Sequence, residues 1–140
     1  QAAGAAPLVS GAPIKDPDTK ASAIRIGNPA SWDLAVAARD QSGGSFAAVS
    51  DQQILSAQRE LARRDGVFVE PASAAGVAGM IADLDSGPEA ITRWQARTIV
   101  VTGTGHGLKD TATALEGVGP IVDEVVDADL HSAAQAAGLV

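Results

Sequence analysis

Three short runs rich in β-branched residues are separated by stretches with helical spacing, and this alternation restricts the chain more than any other feature. The runs are Val67 to Val69 within GVFVEP, Arg97 to Thr102 (RTIVVT), and Pro120 to Val126. Short continuous apolar runs suit strands buried on both faces, and strands alternating with helices predict an α/β layered fold with a parallel sheet, RTIVVT being a central strand. Ala21 to Ile26 predicts a further short strand or extended apolar run.

The helical stretches carry their own punctuation. From Ser31 the residues Trp32, Ala35, Val36 and Ala38 or Arg39 follow a helical spacing that Gly43 and Gly44 close. Ser50 with Gln53 has the pattern of a capping box, and Ile54, Ala57, Leu61 and Ala62 form one face up to Gly66. Pro71 suits the first turn of a helix over roughly Ala72 to Leu84, whose alanines and glycines allow a neighbouring backbone to come close. Glu89 to Gln95 reads as a short helix, and Asp127 as the cap of a last one ending at Gly138. Residues 1–32 hold Gly4, Pro7, Gly11, Pro13 and Pro17 and little periodicity, as expected of a segment draped over a neighbouring element.

Composition narrows the function. Of 140 residues 29 are alanine, so the core has few large side chains to draw on. A net charge of −7 with no basic cluster beyond Arg63 and Arg64, and 3% aromatic residues, argues against a nucleic-acid partner. The absence of cysteine removes thiolate chemistry and disulfides, and His106 and His131 alone make no metal site. No apolar stretch approaches the roughly 18 residues needed to cross a bilayer. The chain begins with Gln1 and without a signal-peptide pattern, as expected of a piece of something longer.

Ligands of open α/β sheets sit beyond the carboxyl ends of the strands, where Thr102 to Gly107 falls. Thr102, Thr104 and nearby amides could meet a phosphate or heterocycle there, while a tight strand exit explains the glycines equally well. The dinucleotide fingerprint fails because GTGHGLKD breaks its spacing, and neither a GxxxxGK[ST] loop nor a GxSxG elbow is present. Glu70 is either a carboxylate tuning a ligand or a first-turn helix acid. Lys109 with Asp110 reads as an anion holder or an exposed ion pair, His106 as bonded to backbone, and His131 as solvated.

Three long motifs taken together go further: AIRIGNPASW (Ala23 to Trp32), GVFVEPASAAGVAG (Gly66 to Gly79) and TGTGHGLKD (Thr102 to Asp110). In that order they resemble the C-terminal part of threonine synthase, a pyridoxal phosphate enzyme of the tryptophan synthase β-subunit type (fold type II). QAAGAAPLV and KDPDT extend the resemblance over nearly the whole chain. It implies a three-layer sandwich with a mostly parallel sheet, residues 1–140 being the C-terminal part of a large cofactor domain. Residues 1–32 would line the active site and residues 33–140 would form α/β units.

The implied reaction converts O-phospho-L-homoserine and water to L-threonine and phosphate, in a cytoplasmic enzyme of a family where dimers are common. The family's Schiff-base lysine and cofactor phosphate cup lie upstream, and Lys15, Lys20 and Lys109 have no such context, so the resemblance puts no catalytic residue and no metal ligand in this segment. It implies that Thr104 hydrogen-bonds the pyridine nitrogen, that Ala23 and Ile24 pass beside the ring, and that Glu70 stands near the pyridine edge. Other readings are a non-catalytic binding or interaction domain derived from this fold, a threonine or serine dehydratase-like lyase, and, through GTGHG, a phosphate or nucleotide binder.

Overall fold

In the computed structural model residues 1–95, 97–116, 118, 119, 122 and 124–140 are described. Seven α-helices are assigned among them: α1 (Pro7–Ser10), α2 (Trp32–Ser42), α3 (Asp51–Glu60), α4 (Pro71–Leu84), α5 (Pro88–Trp94), α6 (Thr111–Leu115) and α7 (Leu130–Ala136).

The centre of the fold is the pair α3 and α4; α3 runs on into a π-helical stretch, Leu61–Asp65, that ends at Gly66, whose φ of 66° is the left-handed conformation that glycine adopts most easily. The capping box is present: Ser50 Oγ accepts from the Gln53 amide at 3.2 Å and Gln53 Oε1 accepts from the Ser50 amide at 2.8 Å, an arrangement worth about 1 kcal/mol. Ile54 and Ala57 of α3 share the core with Ala74 and Ala78 of α4. Leu61 is half-buried and Ala62 exposed, so the buried face of the helix ends sooner than its spacing predicts.

The opening segment is tied down on this pair. Val49 bridges Ala2 through the bonds Ala3 N–H to Val49 O (2.8 Å) and Val49 N–H to Gln1 O (2.9 Å), and Ala2 and Ala21 enter the core. Asp51, the first residue of α3, accepts hydrogen bonds from the Thr19 hydroxyl and from the Lys20 amide, the latter at 2.8 Å. Two glycines let distant stretches of this segment touch: Gly4 O accepts from Asp18 N–H and Gly27 O from Ile14 N–H, each at 2.9 Å. Ala21 to Ile26 is not extended as a strand; Ser22–Ile24 is a 3₁₀ turn, closed by the Arg25 amide on Ser22 O, that rests Ile24 on the core.

The helical expectations are otherwise met within a residue or two. Gly43 caps α2 in the left-handed conformation, although α2 contributes no buried residue; its Arg39 lies over the Phe46 ring at 5.0 Å. The last helix is capped by Asp129 rather than Asp127, because the Asp129 carboxylate accepts from the amides of His131 (2.9 Å) and Ser132 (3.0 Å). Hydrogen bonding from the Ser132 side chain first, and then from the Ser132 and His131 amides, holds the Asp129 carboxyl below the usual carboxylate range.

The strands are where structure and sequence part. Among the described residues no strand is assigned, only the isolated bridges Ala2 with Ala5, Ala2 with Val49, and Val69 with His106. Residues 97–102 make no backbone hydrogen bond with a described residue, and Ile99, Val100 and Val101 are exposed. They lie against α4, where Gly76 admits the Val101 side chain: a β-carbon there would stand 3.2 Å from Val101 Cγ1. Pro120, Ile121 and Asp123 of the third run lie outside the described residues.

Asp83 near the end of α4 receives both Arg93 Nη2 contacts at 2.9 Å and the Trp94 indole N–H at 2.6 Å, fastening α5 to α4. The Arg93 hydrogen bond, then that of Trp94, holds the Asp83 carboxyl below its ordinary range. A carboxyl depressed in the folded state stabilises fully above its unfolded pKa of about 4 and loses that contribution as pH falls through the folded value. Acid titration from about pH 5 to pH 2 is therefore expected to change Trp94 fluorescence in one step, absent in Asp83→Asn; an unchanged titration in that variant would disprove the assignment.

Candidate functional site

Around the start of α4 the chain builds one constellation of hydrogen-bonded groups. The Val69–His106 bridge lays residues 103–107 beside residues 68–70, with Glu70 N–H donating to Gly105 O (2.9 Å) and Gly107 N–H to Phe68 O (3.0 Å). Both glycines are required by the closeness: a β-carbon on Gly105 would overlap the Glu70 carboxylate, and one on Gly107 would stand 2.5 Å from the Phe68 ring. The Gln58 side-chain amide, reaching from α3, donates to Val69 O at 2.8 Å and fixes the same segment from behind.

Ser73, in the first turn of α4, is the hub. Its hydroxyl oxygen accepts from the backbone amides of Thr104 (3.0 Å) and Gly105 (2.8 Å) and lies 3.1 Å from Thr104 Oγ1. Ser73 is buried, and Thr104, on the turn it anchors, is exposed.

Glu70 is buried, and Lys109 Nζ reaches its Oε2 at 3.0 Å. The sequence expectation that Lys109 pairs with Asp110, or holds an anion with it, is thereby corrected. A buried carboxylate at the start of α4 draws the nearest cation, while Asp110 turns to cap α6 through the Thr113 amide at 3.2 Å. His106 is held as expected, its Nδ1 accepting from the Leu108 amide at 3.1 Å and its ring meeting Phe68 edge-on. His131 is exposed.

Ile24 lines a cleft of ≈ 330 Å³ together with Gln1, Ile26, Pro29, Ala72, Ala75 and Gly76, on the flank of α4's first turns. Ala23 is exposed and does not line this cleft. The structure therefore brings Thr104, Glu70 and Ile24 to the amino-terminal part of α4, by contacts with Ser73, with Lys109 and Gly105, and with the core. Sequence reasoning missed Ser73, Gln58 and the Glu70–Lys109 pair. A serine three residues after a strand-ending glutamate, with a proline between, was the one available signal for the first.

The profile of the family described as pyridoxal-phosphate dependent enzyme matches residues 1–105, which include the opening segment, α4 and the turn at Thr104. The chain belongs to that family. It is 53% identical over 130 residues to threonine synthase of Mycobacterium leprae, covering 91% of this chain and 34% of the relative. It is 48% identical over 138 residues to threonine synthase of Synechocystis, covering 99% and 35%. With threonine synthase of Methanosarcina acetivorans the identity is 43% over 146 residues, covering 97% and 34%. The chain spans about a third of the length of these relatives.

Pyridoxal phosphate is the cofactor of this family, and the residues present suit part of it. Thr104 offers a hydroxyl with no other side-chain partner than Ser73 among the described residues, on a turn flanked by Gly103 and Gly105. Such a group hydrogen-bonds a heteroaromatic nitrogen without forcing it to carry a proton. No metal-binding group of three or more histidine, cysteine or carboxylate residues occurs among the described residues, and no helix among them is long and apolar enough to cross a membrane.

Proposed function

We propose that this chain is the C-terminal segment of a threonine synthase, forming the last part of its large cofactor domain and one wall of the active site. The observation that carries the reading is about 50% identity to threonine synthases along nearly the entire chain while only a third of each relative is covered. When bound, pyridoxal phosphate supplies the electron sink for the reaction. In this reading Thr104 donates a hydrogen bond to the pyridine nitrogen, Ile24 with Ala23 passes beside the ring, and Glu70 stands behind the ring's edge, where Lys109 and Gly105 hold its carboxylate still. The group that carries the cofactor covalently, its phosphate site and the substrate contacts belong to the upstream part.

The bare segment 97–102 supports the fold assigned with this reading. Six consecutive residues, rich in β-branched side chains and without backbone partners among the described residues, form a strand when the neighbouring strands of a parallel sheet are supplied. Beside this segment, where it meets the Gly76, Gly79 and Met80 face of α4, lies an open trough of ≈ 800 Å³ with room for the upstream part. The three-layer sandwich is thus completed by the upstream part, in a cytoplasmic enzyme that functions as a homodimer.

The test is an assay of the full-length protein with O-phospho-L-homoserine, following phosphate and threonine together. Equal release of both supports the reading. Formation of a 2-oxoacid and ammonia instead would make it a dehydratase, and a protein that binds no pyridoxal phosphate and turns over nothing would make it a binding domain. The 140 residues alone are expected to be inactive in the same assay.

A further inference from the structure

Four polar residues are buried among the described ones: Thr19, Gln58, Glu70 and Ser73. The last three meet around the start of α4, whereas Thr19 belongs to the opening segment and plays no part in that constellation. Its hydroxyl is nevertheless used twice. The proton goes to Asp51 Oδ1, because a carboxylate can only accept, and the oxygen accepts from the Ala21 amide at 3.1 Å, because an amide N–H can only donate. Asp51 stands in the first turn of α3, where a negative charge is favoured in any case, but both of its oxygens are turned to the opening segment, Oδ2 taking the Lys20 amide at 2.8 Å.

The amides of Lys20 and Ala21 thus donate to side-chain oxygens, and this stretch takes its place on α3 from side chains and not from a backbone ladder. Ala21, fully buried, is also the residue from which the next turn starts: Ile24 N–H donates to Ala21 O at 3.0 Å and Arg25 N–H to Ser22 O at 3.2 Å. That turn seats Ile24 on the core and brings it to the cleft of ≈ 330 Å³ on the flank of α4. Without the Thr19 hydroxyl the Ala21 N–H is left buried and unpartnered, a costly state that is relieved only by moving the main chain of the turn.

We infer that Thr19 is a positioning residue of the cofactor site: its hydroxyl, held by Asp51, sets where the Ser22–Ile24 turn stands and therefore how Ile24 meets the bound ring. This rests on the reading that places Ile24 with Ala23 beside the ring. Thr19 itself does not line the cleft.

The test uses the full-length protein loaded with pyridoxal phosphate, and reads the visible circular dichroism of the bound cofactor, its dissociation constant and the denaturant midpoint of the protein. Thr19→Val, which keeps the shape and removes the hydroxyl, is expected to change the visible band and to loosen the cofactor by roughly fivefold, in line with one lost hydrogen bond. Thr19→Ser, which keeps the hydroxyl, should restore both. Ile24→Ala should change the band as well, and the double variant Thr19→Val with Ile24→Ala should go no further than Ile24→Ala alone, since Thr19 acts through that side chain.

A lowered unfolding midpoint in Thr19→Val with the band and the dissociation constant of the wild type would make Thr19 a structural residue only and overturn the inference, while a changed band in Ile24→Ala would leave the site reading standing. An unchanged band in Ile24→Ala would remove the placement of Ile24 beside the ring, and the inference with it. Should Thr19→Val fail to fold, Asp51→Asn decides: its amide NH₂ must face either the Thr19 hydroxyl or the Lys20 amide, so a changed band supports the inference and a wild-type band overturns it.

Discussion

Replacing Thr104 by alanine in the full-length protein is expected to lower turnover by roughly 10²-fold while the cofactor stays attached, the size seen when one aligned donor is removed from a reacting centre. The separation of the two effects follows from where the groups sit. Thr104 gives one hydrogen bond from an exposed hydroxyl, whereas in the proposed reading the covalent attachment and the phosphate contacts lie on the upstream part. The turn itself should survive, because the backbone amides of Thr104 and Gly105 still donate to Ser73 Oγ. Steady-state phosphate release together with the visible absorbance of the bound cofactor checks this. Unchanged turnover, or loss of cofactor in step with activity, would contradict the role given to Thr104.

Gly27→Ala should lower stability by about 3 kcal/mol, at the upper end of the cost of forcing extra volume into a packed site. The new β-carbon would overlap Ile14 O, and its next neighbours would be Ile14 C at 3.0 Å and Pro17 Cδ at 3.3 Å. A side chain can swing away, but a carbonyl held in place by its own chain cannot. Ile14 is fixed by donating its amide to Gly27 O at 2.9 Å, so relief of the overlap means breaking the contact that closes residues 14–27. Denaturant unfolding of the full-length protein, variant against wild type, measures the loss. Equal midpoints for the two would show that the loop yields and that the contact is not the constraint.

What could be read in advance was mostly local. The Ser50–Gln53 capping box, the stop at Gly43, Pro71 at the head of α4 and the backbone-bonded His106 each depend on residues a few positions apart, and each is found. The cap at Asp129 was misplaced by two residues because two aspartates precede the same helix and only the geometry of the amides selects between them. Ala21 to Ile26 has the alternation of a strand but no neighbour to pair with, and a 3₁₀ turn that seats Ile24 on the core takes precedence.

Segment 97–102 shows the opposite relation. Its composition is that of a strand, yet a strand is a property of at least two segments, and hydrogen-bonding neighbours are absent among the described residues. The site was legible to a similar depth. Thr104 and Glu70 could be picked out by resemblance, but Ser73, Gln58 and Lys109 act across 31, 11 and 39 positions of sequence, distances over which spacing carries no information.

The methyl-lined contact between α3 and α4 has a mechanical consequence. Ala57, Ala74 and Ala78 have no side-chain torsions that could take up a displacement, so the two helices are coupled almost as one solid. Asp51, which anchors the opening segment, begins one of the two helices, and Ser73, which anchors the Thr104 turn, lies in the first turn of the other. Residues 19–20 and that turn are thus tied to one and the same helix pair. The alanine content that makes the core small also makes it stiff, and stiffness is what a single aligned hydrogen bond demands.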